Sequence, residues 1–206
     1  RYAVGYMGDL SSPFFRKRTY YSQEAEEHSV LEEHVIIAGY GVNGRNVARA
    51  LRSAGIPYVI LEMNPQTVRR MRATGEPIQF GDCTQIEVLH KVNIARARVL
   101  VMAISDPAST RRAVRIARLE NPHLCIIVRT RFQSEVEELR GLGANEVIPE
   151  EFETSIEIFS RVLQRYDVPR NVMLDVVADV RSDMYEMFRV PHLRPEHTQL
   201  PRDALK

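Results

Sequence analysis

Gly39-Tyr40-Gly41-Val42-Asn43-Gly44 follows directly on the β-branched run at 34–38, and an amphipathic helical pattern begins within it. A strand that feeds a glycine turn into a helix opens a βαβ unit, which commits the chain to a parallel sheet with crossover helices. Each glycine then has its own expected task. Gly39 permits the tight turn, Gly41 lets a diphosphate approach the backbone, and Gly44 lets helix and strand pack closely. The amino end of the helix adds unpaired N–H groups and the positive end of its dipole.

The rest of the chain repeats this unit. Strands are expected at 34–38, 57–62, 77–80, 98–103, 124–128 and 146–148. Between them lie helical stretches to about 54, from Pro65 to before Gly75, at 84–91, from Asp106-Pro107 to about 120, and at 132–140. Right-handed crossovers are almost obligatory, so the expected fold is a Rossmann-like, doubly wound α/β sheet of six strands in the order 3-2-1-4-5-6. Two further helices follow, at 151–166 and 171–189. Phe152, Ile156, Phe159 and Leu163 form a helical stripe in the first. Val172, Val176, Val180, Met184 and Met187 or Phe188 form one in the second. A single sheet has little room for both. Residues 1–33 show no sustained period and read as a linker, while 191–206 read as a flexible tail. The expected organisation is therefore linker 1–33, nucleotide-binding unit 34–150, helix pair 151–190 and tail 191–206.

Composition narrows the function classes. With 28 basic and 27 acidic side chains the net charge is +1, which gives no broad field for nucleic acid, so any anion site is local. Cys83 and Cys125 form neither a disulfide framework nor a zinc spacing, and a reducing cytoplasm suits them. His28, His34, His90, His123, His192 and His197 show no metal spacing, and no nucleophile, base and acid fall where the fold would unite them. No apolar run reaches the ~20 residues that cross a bilayer.

The second strand ends in Glu62, about twenty residues beyond the glycine turn, where ribose hydroxyls would lie. A carboxylate there repels a 2′-phosphate, which favours an adenosine or NAD-type ligand over NADP; the plainer reading is a solvated strand end. Met63 follows it. Gly81-Asp82-Cys83-Thr84 and Ala103-Ile104-Ser105-Asp106 end the third and fourth strands at the same carboxyl edge. Asp82 either caps the next helix or faces the adenine side, and Cys83 is expected to offer its backbone while its side chain packs. Arg129 and Arg131 flank the end of strand five, to hold a phosphate, a neighbouring acid or a surface salt bridge. The candidate ligand set is Gly39, Tyr40, Gly41, Val42, Asn43, Gly44, Glu62, Met63, Asp82, Cys83, Ala103, Ile104 and Ser105, with no catalytic or metal residue. Only two helices follow the last strand, so a substrate half is missing and a non-catalytic sensor is the leading reading. An NAD-dependent oxidoreductase that borrows its substrate site from a partner or a missing segment is the alternative, and a nucleotide-stabilised assembly module is a third.

These landmarks resemble the domains that regulate potassium conductance, the RCK or TrkA-N family. The likeness rests on the glycine loop, on Gly81-Asp82-Cys83-Thr84 (family Gly-Asp-Ala-Thr), on Ala103-Ile104-Ser105-Asp106-Pro107 (family Ala-Ile-x-Asp-Pro) and on Gly143-Ala144-Asn145-Glu146-Val147-Ile148-Pro149-Glu150. Within the family the chain is most similar to the cytoplasmic region of Kef-type monovalent cation:proton antiporters, partly through Val180-Arg181-Ser182-Asp183-Met184-Tyr185-Glu186. The resemblance implies a homodimer through the late helices and a membrane transport domain in the same polypeptide. It also implies a place on the cytoplasmic face of the inner membrane, and nucleotide occupancy that gates ion flux. Many relatives carry arginine where this chain has Val42, and Arg45 lies one turn deeper, so AMP or NAD(H) is expected before phosphate-rich ligands. No residue assigns glutathione control.

Overall fold

Val35–Ala38, all four residues buried, form β1 at the middle of a six-stranded parallel sheet ordered β3-β2-β1-β4-β5-β6. The computed structural model describes residues 31–187, with side chains to Asp183. Residues 1–30 of the expected linker, the tail at 191–206 and the stripe positions Met184, Met187 and Phe188 lie outside what it describes at side-chain level. The other strands are β2 (Tyr58–Glu62), β3 (Ile78–Phe80), β4 (Val99–Met102), β5 (Cys125–Thr130) and β6 (Glu146–Pro149). The helices are α1 (Val42–Ser53), α2 (Pro65–Arg72), α3 (Ile86–Lys91), α4 (Pro107–Glu120), α5 (Val136–Gly141), α6 (Glu150–Arg165) and α7 (Arg170–Met187). The expected α/β class and strand order are both observed.

Alternation along the strands splits the core into two layers. Val35, Ile37, Tyr58, Ile60 and Ile78 face Ala48 of α1 and Val68 of α2. Ile36, Ala38, Val59, Leu61, Leu100, Met102, Ile126 and Val128 face Leu89, Ala113, Val114, Ala117, Val136 and Leu139 on α3, α4 and α5. The register levels the strand ends: Ala38 pairs with Leu61 on one side and Met102 on the other. Gly39, Glu62 and Ala103 therefore emerge side by side at the carboxyl edge.

Several element ends differ from the sequence expectation by one or more residues, and those beside β3 and β5 have a local reason. The helix after β3 begins at Ile86 and not Thr84, because Asp82 closes a turn first, its carbonyl accepting the Gln85 N–H at 3.0 Å. Between β5 and α5 a 3-10 turn at Gln133–Glu135 replaces the expected first helical turn, and β5 runs on to Thr130. In α6 only Ile156 of the expected stripe is fully buried; Phe152, Phe159 and Leu163 are half-buried. Glu153 joins α6 to α7 through Arg181 at 2.6 Å. No described helix is long and apolar enough to cross a membrane.

Asn121, buried at the end of α4, donates to the Ile94 and Ala97 carbonyls at 3.0 and 3.1 Å and accepts from the His123 N–H at 3.0 Å. Asn121→Ala removes these three hydrogen bonds from a buried junction. Urea unfolding is expected to show a loss of about 1–3 kcal/mol.

Candidate functional site

Two of the three loop glycines are explained by the protein's own packing. Gly39 has φ +98°, which disfavours a side chain, and a Cβ there would sit 2.9 Å from Ile104 Cγ2. A Cβ on Gly44 would lie 2.0 Å from the Gly39 carbonyl oxygen, an impossible approach. Gly41 is different: its φ is −71°, and an added Cβ would meet nothing within 4 Å. Neither backbone conformation nor contact within the described chain requires glycine at 41.

Gly41 is also the N-cap of α1, and no side chain caps that helix. Of the other helices rising from this edge, α2 and α4 are closed by their own residues, whereas α3, α5 and α6, like α1, have no side-chain cap. Asn64 Oδ1 accepts from Gln66 and Thr67 N–H at 3.0 and 3.1 Å, and Asp106 accepts from Ser109 N–H at 2.7 Å. The leading N–H groups of α1 thus remain available, in the crevice between β1 and β4 where the strand order reverses.

Glu62 is fixed at the rim of this crevice and is not a loose strand end. One carboxylate oxygen accepts the Tyr40 N–H at 2.8 Å and the other the Asn64 N–H at 2.7 Å. Each oxygen keeps a further lone pair for a hydroxyl donor. Met63 and Phe80 stand exposed beside it, Phe80 paired in register with Glu62. Phe80 was missed by the sequence analysis; the available signal was an aromatic residue closing a strand level with the acid.

Asp82 accepts the Thr84 N–H at 2.8 Å and so shapes the turn before α3, whose N-cap residue, Gln85, does not cap the helix with its side chain. Burial pulls the Asp82 carboxyl upward, but the Thr84 amide and hydroxyl outweigh it and hold it below the usual carboxylate range. Cys83 is buried in the core, and burial pushes its thiol up to about 11, so it is not a nucleophile at neutral pH. Ala103 and Ile104 are half-buried at the end of β4, and Ser105 is exposed.

Charge at the crevice comes from the far side of the sheet. The Arg129 guanidinium grips Glu150 through two hydrogen bonds, each 2.5 Å, and donates to Ser105 Oγ at 3.1 Å. Asn43 of the glycine loop donates to the same Glu150 carboxylate at 3.2 Å. Of the partners open to Arg129, the structure selects the neighbouring acid. Arg131 is exposed, its guanidinium 5.4 Å from the Phe132 ring centroid. Val42 is exposed, and Arg45 turns back to donate to the Gly41 carbonyl at 3.3 Å.

The sequence pattern of the TrkA-N domain matches residues 35–150. The chain belongs to the TrkA-N family. A putative K(+) efflux antiporter KefB of Alkalimonas amylolytica is 37% identical over 186 residues, which is 90% of this chain and 27% of that protein. The glutathione-regulated potassium-efflux system protein KefC of Salmonella arizonae is 29% identical over 81% of this chain and 26% of its own length. The chain thus spans about a quarter of these relatives. Among solved structures, the TrkA-N domain of the Escherichia coli inner membrane protein ybaL is similar at 26% identity and TM-score 0.61, covering 63% of this chain and 96% of that one. The GsuK channel bound to NAD is similar at 25% and 0.54, over 66% of this chain and 23% of that one. The Shewanella denitrificans Kef CTD in AMP-bound form shares the fold at 24% and 0.66, over 76% and 96%.

Two outcomes follow for this TrkA-N domain. Gly44→Ala is expected to lose about 1–3 kcal/mol in denaturant unfolding through overpacking, whereas Gly41→Ser stays within about 0.5 kcal/mol, serine being a good N-cap. Glu150 gives a pH signature, because the Arg129 guanidinium holds its carboxyl below the usual range. A depressed folded value means stability that is present above the unfolded carboxylate value of about 4.3 and is lost as pH falls through the folded one. The gap in melting temperature between wild type and Glu150→Gln should therefore be widest at neutral pH and narrow as the pH falls below the unfolded carboxylate value.

Proposed function

We propose that this chain is the nucleotide-sensing regulatory domain of a Kef-type potassium efflux antiporter, on the cytoplasmic face of the membrane, with AMP or NAD(H) as its ligand. Gly41 carries the reading. It is a glycine that the protein's own packing does not need, at the uncapped start of α1, where a phosphate group would have to come close to the backbone. Glu62 supports the adenosine half as a fixed acceptor for ribose hydroxyls, with Met63 and Phe80 as apolar flanks. The candidate contacts are Gly39 to Gly44, Glu62, Met63, Asp82, the backbone of Cys83, and Ala103 to Ser105. NAD in the similar GsuK channel supports the ligand class. The transport names of the relatives favour a sensor over the oxidoreductase.

Regulation requires a moving part, and the late helices supply one. Ile158, Val162 and Tyr166 repeat every four residues along α6 and are 59%, 50% and 80% exposed. A second copy of the chain covers this stripe in the proposed homodimer. Glu150, the first residue of α6, is held by Asn43 and Arg129, so a phosphate arriving at α1 competes with it for both. Release of Glu150 shifts the start of α6, and the Glu153–Arg181 pair passes the shift to α7. A membrane domain of the same polypeptide reads the new subunit geometry.

Calorimetry with AMP, NAD, NADH and ATP tests the ligand, and sedimentation tests the dimer. Wild type is expected to bind AMP or NAD(H), and Gly41→Ser to bind about tenfold more weakly or worse with its fold intact. A folded wild-type protein that binds none of the four at millimolar concentration ends this reading.

A further inference from the structure

Behind the glycine turn lies a carboxylate that none of the roles above uses. Glu76, in the connection between α2 and β3, is 7% exposed. It accepts from the Tyr58 hydroxyl at 2.6 Å, is paired with the Arg52 guanidinium, and accepts from the Tyr40 hydroxyl at 3.2 Å. Arg52 also donates to the Tyr58 oxygen at 3.1 Å. Arg52 at the end of α1 and Tyr58 at the start of β2 already neutralise the acid and occupy both of its oxygens. The third partner is the informative one, because it comes from inside the glycine loop.

Tyr40 is held at both ends. Its N–H donates to Glu62 at 2.8 Å, and its hydroxyl donates to Glu76. Between them the ring is half-buried against the layer formed by Val35, Ile37, Ala48 and Ile60. A ring fixed at its tip and its face leaves little freedom to the peptide that carries it. That peptide sets the direction of the Glu62 carboxylate and lies next to Gly41. We infer that Glu76 is a positioning residue for the nucleotide site, acting through the Tyr40 hydroxyl to hold the glycine turn and Glu62 in their binding geometry. This inference rests on the nucleotide reading above and adds to it a residue beside the amino ends of β2 and β3, away from the carboxyl edge.

Three variants separate positioning from stability, each assayed by AMP and NAD calorimetry at a temperature where it is fully folded by circular dichroism. Tyr40→Phe keeps the ring and removes only the link to Glu76; its Kd is expected to rise about three- to tenfold. Tyr58→Phe removes another bond to the same carboxylate without touching the loop, and is expected to lower the melting temperature while leaving Kd unchanged. Glu76→Gln should weaken binding in the wild-type background and add nothing in the Tyr40→Phe background, since the two act in series. An unchanged Kd in Tyr40→Phe overturns the inference while the nucleotide reading stands. Equal losses in Tyr40→Phe and Tyr58→Phe also overturn it, because the network then acts through general stability. Wild type that binds neither nucleotide overturns both.

Discussion

The Gly39 carbonyl occupies the space that a side chain at position 44 would need, and α1 can press onto the end of β1 only because that side chain is missing. This contact aims the helix. With α1 held there, its amino end looks across the carboxyl edge at the gap between β1 and β4, where neighbouring connections leave in opposite directions. Parallel pairing does the rest. Ala38 is level with Leu61 and Met102, so the acid after one and the turn after the other arrive at the same height without any loop having to search for them. A rigid sheet and one close helix contact therefore set the relative places of most candidate residues.

The helix starts differ in how they are closed. Asn64 and Asp106 show that this chain closes the starts of α2 and α4 with its own side chains. At the start of α1 it does not, although an Asn or Ser at that cap is worth on the order of a few tenths of a kcal/mol over glycine. The starts of α3, α5 and α6 also lack a side-chain cap, so α1 is set apart by an open N-cap combined with a glycine that neither φ nor packing requires. Local rules tend to be broken at functional sites, where another requirement overrides them.

Sheet order, strand positions and the edge on which the candidates gather were legible in the sequence, because β-branched runs, glycine turns and the handedness of crossovers are local or topological signals. Glu62 was legible by its distance from the loop, but its two backbone donors were not. The Tyr40 N–H reaches it across 22 residues. Glu150 and Glu76 were passed over for the same reason: Glu150 meets Asn43 across 107 residues and Glu76 meets Tyr40 across 36. No periodicity announces such pairs; the folded sheet brings them together. The late start of α3 is the opposite case, a local turn in which the Asp82 carboxylate engages the Thr84 N–H before a helix can form.

Crossover handedness also leaves one face of the sheet unfinished. α1 and α2 lie over β1, β2 and β3, while α3, α4 and α5 take the other face, so no crossover helix covers the first face beyond β1. Val99, Val101, Ile127 and Ile148 are only half-buried there and line a groove of about 1030 Å³ whose rim includes Asn43, Arg129, Glu150 and Glu153. Among the described residues, those that follow β6 are left to close this face. α6 begins at Glu150 directly after Pro149, and Ile156 is its one fully buried apolar residue. The glycine turn, the open apolar face and the start of α6 therefore meet at a single carboxylate. In the proposed mechanism a change in what Asn43 and Arg129 hold shifts the root of the helix pair and so couples occupancy of the crevice to the direction of those helices.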